Sequence, residues 1–181
     1  MPSDNSRRHR RAVLLGLGVS LAATQLPAQE ATNLTAGMRL GISSTETSIL
    51  EREVFVNRDL HWLWSIGPNV SIRPRLEFTS GYIERDDEYG YVGTVGPAVV
   101  IRRRGLPVFV NAGARPTVLS KSAFGDHDLG MRFLMTSHVG VDWQAHPRVA
   151  VGYRVQHSSN GGLAEHNPGL NMHFFGATYR F

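Results

Sequence analysis

A histidine and a serine stand two residues apart near the C-terminus, at His157 and Ser159. If this segment is a β-strand, both side chains project from one face, with their backbones about 6.6 Å apart. Serine becomes a nucleophile when a base removes its proton, and imidazole is the side chain best suited to that role near neutral pH. The spacing predicts nucleophilic catalysis by a serine–histidine pair, although such a pair at a strand end also arises often by chance.

The segment that carries this pair has two different faces. Its odd-numbered positions before the pair are Val149, Val151, Tyr153 and Val155, and its even-numbered positions are Ala150, Gly152, Arg154 and Gln156. A base and a nucleophile therefore continue an apolar face. We interpret this as a face that contacts lipid, and the substrate as a lipid.

Similar alternation recurs from residue 36 to the C-terminus and is typical of an all-β fold, an eight-stranded antiparallel transmembrane β-barrel. The predicted strands cover about residues 36–43, 53–65, 71–83, 91–102, 108–115, 131–144, 149–159 and 170–181. The third strand alternates most regularly, with Leu76 and Phe78 on one face and Arg75 and Glu77 on the other. In the fourth strand Pro97 interrupts the pattern, and we expect a bulge there.

Composition agrees with a barrel but does not prove one. A mean hydropathy of −0.19 is expected when lipid-facing and interior residues alternate. The chain has no cysteine, which excludes disulfides, thiol catalysis and cysteine-based metal sites. Its length suits one domain.

The N-terminus has the pattern of an export signal. Four arginines within residues 7–11 precede an apolar run over residues 12–23, which is too short to span a membrane as a helix. We therefore predict a signal peptide over residues 1–28 and an outer-membrane barrel over residues 29–181. Without residues 1–28 the formal net charge falls from +4 to +1, so nothing favours a nucleic-acid partner.

Loop lengths predict the orientation of the barrel. The connections at 67–69, 104–107 and 145–147 are short, whereas those at 44–52, 84–90, 120–130 and 160–169 are long. In bacterial barrels the short turns and both chain ends lie in the periplasm. His157 and Ser159 should therefore lie at the outer leaflet, where lipopolysaccharide is found.

The polar faces of the strands should fill the barrel interior, because eight strands enclose only side chains. The charged residues assigned to this interior are Arg39, Arg73, Arg75, Glu77, Arg115, Asp142, Arg154 and Arg180. Aromatic residues near the periplasmic strand ends fit a membrane-interface girdle, namely Trp62, Trp64, Trp143, Tyr179 and Phe181.

The region from His157 to Phe181 resembles the PagL-type lipid A 3-O-deacylases. It contains His157-Ser-Ser-Asn160, the turn Asn167-Pro-Gly169 and a terminal aromatic strand. The resemblance implies a serine esterase of the outer membrane that needs no cofactor. It implies His157 as the general base and Ser159 as the nucleophile, which attacks the ester joining a 3-hydroxyacyl chain to the glucosamine of lipid A.

Other residues of this region are candidates for the same site. Backbone and amide N–H groups of Asn160, Gly161, Gly162 and Asn167 could bind the oxyanion or the substrate, although ordinary turn chemistry explains each of them equally well. By the resemblance, the third family residue is a glutamate, and Asn171 stands at its position. We expect Asn171 to orient His157, with Glu165 as the alternative.

Two rival interpretations stay open at this point. A non-enzymatic structural or adhesion barrel would need no such site, and a soluble lipocalin-like barrel would turn its apolar face inward. His127, between Asp126 and Asp128, has the residue types of a cation site, but a solvated loop is the simpler explanation and no metal is predicted. The expected partners are lipopolysaccharide and outer-membrane lipid, and a homodimer stays open.

Overall fold

The computed structural model describes residues 33–44 and 49–181. The predicted signal peptide, residues 1–28, lies outside the described residues. The described residues form an all-β structure, which confirms the predicted fold class. Among them, none lies in a helix long and apolar enough to cross a membrane.

Eleven strands occur within the described residues. They are β1 (Leu34–Ser43), β2 (Leu50–Asp59), β3 (Trp64–Ile66), β4 (Val70–Arg85), β5 (Glu88–Arg103), β6 (Val108–Leu119), β7 (Ala123–Phe124), β8 (His127–Asp128), β9 (Phe133–His146), β10 (Val149–Ser159) and β11 (Leu170–Arg180). β3 pairs with the start of β4, and β7 and β8 form a small separate hairpin.

The other eight strands close into a barrel. Their antiparallel order is β2, β1, β11, β10, β9, β6, β5 and β4, and β2 pairs with β4 to complete the ring. A closed ring leaves no unpaired strand edge, and hydrocarbon cannot satisfy exposed backbone N–H and C=O groups. The topology therefore suits a membrane wall.

Alternate residues point outward and inward along each wall strand. In β2, Val54 and Val56 are exposed, whereas Glu53, Phe55 and Asn57 are buried. The exposed positions around the barrel are mostly large apolar residues, which would be unfavourable in water at this density. The apolar surface is thus on the outside, which excludes the lipocalin-like interpretation.

The barrel interior is mostly polar from its middle to the β5–β6 and β9–β10 turns, here called the turn end, where a small apolar cluster consists of Val100, Phe109 and Ala150. Glu77 accepts hydrogen bonds from Arg115 and Arg154, and Arg75 pairs with Asp59 at 2.6 Å. All eight predicted interior charges point into the barrel, where they are buried or half-buried. Ion pairs with buried carboxylates offset the cost of removing four of these arginines from water, namely Arg39, Arg75, Arg115 and Arg154.

The opposite part of the interior, at the loop end, contains a large apolar cluster, which the sequence interpretation did not anticipate. Ten buried residues form one cluster there: Ile49, Ile83, Val92, Leu119, Phe124, Leu129, Leu134, Leu170, Met172 and Phe174. Phe124 and Leu129 belong to the third loop, residues 120–132, which folds into the barrel mouth. The lumen is therefore closed at this end by side chains.

Three local predictions are corrected by the structure. The second strand ends at Asp59 instead of residue 65, so Trp62 lies outside a strand and Trp64 lies in β3. The connection predicted over 84–90 is a two-residue turn at 86–87, because β4 and β5 continue past the residues assigned to them. No bulge occurs at Pro97: the β5–β6 pairing lapses there because proline lacks an N–H, and resumes in the same register.

Candidate active site

The end of β10 places the serine–histidine pair on the outer wall. His157 is exposed and Ser159 is half-buried, and both belong to the outward-facing positions of the strand. Ser158, between them, is buried in the interior, where its hydroxyl lies 2.8 Å from that of Thr136. The alternation predicted from the sequence thus separates the two serines onto opposite sides of the wall.

Asn171 lies directly across from His157 in the antiparallel β10–β11 pair. Its Oδ1 is 2.8 Å from Nδ1 of His157. A proton on Nδ1 would be donated to this oxygen, which leaves Nε2 as the basic nitrogen. Glu165 is exposed in the fourth loop, residues 160–169, and forms no hydrogen bond or ion pair within the described part of the chain. The geometry favours Asn171 as the orienting residue.

Gly169 forms a wall against the imidazole ring. Its φ is +66°, a conformation that glycine adopts without steric cost, and a Cβ atom there would lie 3.0 Å from Cε1 of His157. A side chain at this position would press on the ring. The glycine predicted as an ordinary turn residue therefore also shapes the space around His157.

Asn160 organises the fourth loop. Its Nδ2 donates to the carbonyls of Leu129 at 2.9 Å and His166 at 2.6 Å, and its Oδ1 accepts from the N–H of Gly162 at 2.9 Å. Its own N–H donates to Oδ1 of Asn167 at 3.2 Å. Because these groups are already paired inside the loop, their first role in this structure is to hold its shape.

Gly161 differs from its neighbours in this loop. It is exposed, has a φ of +66°, and has open space where a Cβ would be. Of the four residues predicted to bind an oxyanion or substrate, Gly161 is the one that takes no part in the hydrogen bonds described above. The assignment of an oxyanion site to Asn160, Gly161, Gly162 and Asn167 stays a prediction.

The structure adds polar neighbours that the sequence interpretation did not assign to the site. Ser137 of β9 lies across from His157 on the outward face and is exposed. Farther from the loop end on the same wall, the Tyr153 hydroxyl lies 2.5 Å from Nδ1 of His173. The position of Ser137 beside His157 and the contact between Tyr153 and His173 both depend on strand register. No local motif around Ser137 predicts its position.

Apolar side chains surround this polar group on the lipid-facing wall. Met135 pairs with Ser159 across β9 and β10, and Val155 is the outward-facing residue that precedes His157 on β10. Both are exposed, with 46% and 42% of their surface accessible. An acyl chain could therefore contact the wall beside the serine without leaving an apolar surface.

A closed eight-stranded barrel with this apolar exterior belongs to the class of outer-membrane proteins. The family model described as Lipid A 3-O-deacylase (PagL) matches residues 51–180. The chain therefore belongs to the PagL family, and it is an ester-hydrolysing enzyme of the outer membrane. These findings confirm the predicted family, fold, enzyme class and location, and they set aside the non-enzymatic alternative.

Two individual proteins illustrate the similarity. Lipid A deacylase PagL of Bordetella bronchiseptica is 29% identical over 136 residues, which cover 72% of this chain and 76% of that protein. The crystal structure of the outer membrane enzyme PagL superposes with a TM-score of 0.72 at 20% identity, covering 81% of this chain and 99% of that one. The structural match supports the fold.

Proposed function

We propose that this enzyme is a serine esterase that removes the 3-O-linked hydroxyacyl chain of lipid A in the outer leaflet of the outer membrane. The observation that carries the proposal is the hydrogen bond between His157 and Asn171, 2.8 Å long, on the lipid-facing wall beside Ser159. It engages Nδ1 and leaves Nε2 free to act as the base toward Ser159, which belongs to the same face of β10. The family description supplies the substrate class.

In the first half of the reaction, Ser159 Oγ attacks the carbonyl carbon of the ester while its proton passes to Nε2 of His157. The negative charge then lies on the former carbonyl oxygen. Collapse of this tetrahedral intermediate breaks the bond to the glucosamine O3. His157 returns its proton to that oxygen, and the acyl chain stays on Ser159.

In the second half, water replaces the sugar hydroxyl. His157 takes a proton from the water as it attacks the acyl-serine, and then returns a proton to Ser159 Oγ. One water is consumed, and the products are a free 3-hydroxy fatty acid and a lipid A with one chain fewer. Asn171 contacts neither Ser159 Oγ nor the ester carbonyl carbon, and its role in both halves is to orient His157.

The oxyanion needs N–H donors close to Ser159. We assign this role first to Gly161, because its exposed backbone follows the nucleophile by two residues and is open to a ligand. Asn160, Gly162 and Asn167 act mainly by holding the loop that presents it. The N–H groups of Asn160 and Gly162 are already engaged in hydrogen bonds inside the loop, and Asn167 supports the loop through its Oδ1.

The orientation of the barrel supports access from the outer leaflet. The site lies at the loop end, together with the third loop and the fourth loop, whereas short turns at 104–107 and 147–148 close the other end. In bacterial barrels the longer connections face outward. An ester at the boundary of sugar and hydrocarbon would meet Ser159 at this depth.

The test is mass spectrometry of lipid A from cells that express the wild type, Ser159→Ala or Ser158→Ala. We expect the wild type and Ser158→Ala to remove one hydroxyacyl chain, because Ser158 faces the interior. Ser159→Ala should leave lipid A intact. Glycerophospholipids of the same cells should keep their chains in every case.

A control for folding is the heat-dependent gel mobility that intact barrels show. Lipid A deacylation by a folded Ser159→Ala variant would contradict the proposed mechanism. Hydrolysis of glycerophospholipids in place of lipid A would contradict the proposed substrate.

A further inference from the structure

We propose that His127, in the third loop, is a positioning residue that holds the catalytic base through the backbone of Gly169. The inference rests on the proposed function of His157. It differs from the sequence interpretation, which treated His127 as part of a solvated loop. Four observations support it.

The third loop is fixed in the barrel mouth and can therefore hold other groups in place. Phe124 and Leu129 are almost fully buried in the apolar interior. The carbonyl of Phe124 accepts a hydrogen bond from Arg85 Nη1 at 3.0 Å, and Lys121 lies 4.8 Å from the centre of the Phe124 ring. The hairpin of β7 and β8 is thus anchored on both sides of His127.

His127 reaches from this hairpin to the fourth loop. Its Nε2 lies 3.0 Å from the carbonyl oxygen of Gly169, and because a carbonyl can only accept, Nε2 is the donor. Gly169 directly precedes β11 and stands two residues before Asn171. The bond therefore fixes the chain at the point where the orienting strand begins.

Gly169 passes this constraint to the base. Its backbone lies so close to His157 that a Cβ would stand 3.0 Å from Cε1 of the ring. A shift of this backbone toward or away from the barrel changes the space available to the imidazole. His127 thus limits the position of His157 without touching it.

A second contact ties the same loop to the nucleophile. The carbonyl of Leu129 accepts a hydrogen bond from Asn160 Nδ2 at 2.9 Å, and Asn160 directly follows Ser159. The third loop therefore holds the end of β10 through Leu129 and the start of β11 through His127. Loss of the His127 bond would release one of these two strand ends while the other stays held.

The expected effect is on the chemical step. Displacing a catalytic group by about 1 Å lowers rates by on the order of a hundredfold. We expect His127→Ala to lower kcat between about tenfold and a hundredfold with little change in KM, because the lipid-facing wall is untouched. His127→Gln should recover most of the rate, since its amide nitrogen can donate to the Gly169 carbonyl.

The experiment uses the full-length barrel in detergent micelles with purified lipid A, and measures kcat and KM by mass spectrometry of the released 3-hydroxy fatty acid. Wild type, His127→Ala, His127→Gln and His127→Leu are compared. His166→Ala is the matched control, because the Asn160 bond to residue 166 uses its backbone carbonyl and survives the change. Ser159→Ala is run in parallel.

Low kcat in the alanine and leucine variants, with recovery in glutamine, supports the inference. Equal kcat in the alanine, leucine and glutamine variants overturns it. A fall in kcat in His166→Ala similar to that in His127→Ala also overturns it. If the alanine variant fails to fold, the comparison of His127→Gln with His127→Leu still tests the inference. The two side chains have similar size, and only glutamine can donate to the Gly169 carbonyl. Activity in Ser159→Ala would instead refute the proposed function, so the two failures are distinguishable.

Discussion

The hydrogen bond between His157 and Asn171 makes a quantitative prediction about catalysis. In Asn171→Leu the side chain keeps a similar size and suits the lipid-facing wall, but Nδ1 of His157 loses its acceptor at 2.8 Å. A hydrogen bond of this kind contributes about 1 kcal/mol. A released imidazole also samples roughly six combinations of χ1 and ring orientation, which costs about another 1 kcal/mol.

These two effects add to about 2 kcal/mol of lost orientation, or about a thirtyfold fall in kcat at roughly 1.36 kcal/mol per factor of ten. Asn171→Asp keeps the shape and adds a charge that stabilises the imidazolium formed during attack. A hydrogen bond to a charged group exceeds a neutral one by about 1 kcal/mol, so kcat should rise about fivefold. Asn171→Glu should retain or raise activity.

The assay is a time course of lipid A deacylation by the purified barrel, with heat-dependent gel mobility to confirm folding. The result that refutes the reasoning is an Asn171→Leu enzyme within about twofold of the wild type. Complete loss of activity in Asn171→Glu would also contradict the assignment, because it would mean that Asn171 does not stand at the position of the family glutamate.

Three further predictions concern the parts of the molecule that support the site. Gly169→Ala should lower kcat at least tenfold in the same assay, because φ of +66° strains alanine by about 1–2 kcal/mol and its Cβ presses on the base; wild-type kcat would exclude this contact. Glu77→Ala should lower the free energy of unfolding in urea by about 3–5 kcal/mol, since two buried arginines lose their shared partner; a change below about 1 kcal/mol would contradict this. The Arg85 guanidinium lowers the pKa of Asp126, so their ion pair is complete at and above the ordinary aspartate range and is lost only as pH falls below that range. The NMR signal of the Asp126 carboxyl carbon measures this titration, and a midpoint within or above the ordinary aspartate range would refute the prediction.

Much of the barrel was predictable because alternation is a local property of the sequence. In β10 the odd positions are apolar up to the site, and the structure places them outward as predicted. β2 is the informative exception. The apolar spacing continues through Trp62 and Trp64, yet the strand ends at Asp59, whose pairing with Arg75 belongs to the interior. Periodicity alone did not indicate where the chain leaves the wall.

The candidate site was predictable where it depends on one strand and its hairpin partner. His157 and Ser159 share a face by parity, and Asn171 meets His157 because β10 and β11 are consecutive. Their catalytic roles stay predictions. Ser137 was missed because its position depends on the register between β9 and β10, and His127 because its contact depends on how the third loop folds.

The apolar cluster in the barrel mouth was also not predictable from local sequence. Phe124 and Leu129 stand between glycines, aspartates and serines, a composition typical of a solvated loop. Their burial results from the long-range packing of the third loop against β4, β5 and β11. No short window of sequence contains that information.

The central claim is that Ser159 is the nucleophile on the lipid-facing wall. A lipophilic fluorophosphonate reacts covalently with an activated serine, and peptide mass spectrometry of the labelled barrel locates the adduct. We predict one adduct on Ser159 in the wild type and in Ser158→Ala, and none in Ser159→Ala. An adduct on Ser137 or Ser158, or an unlabelled Ser159 in an enzyme that deacylates lipid A, would contradict the account.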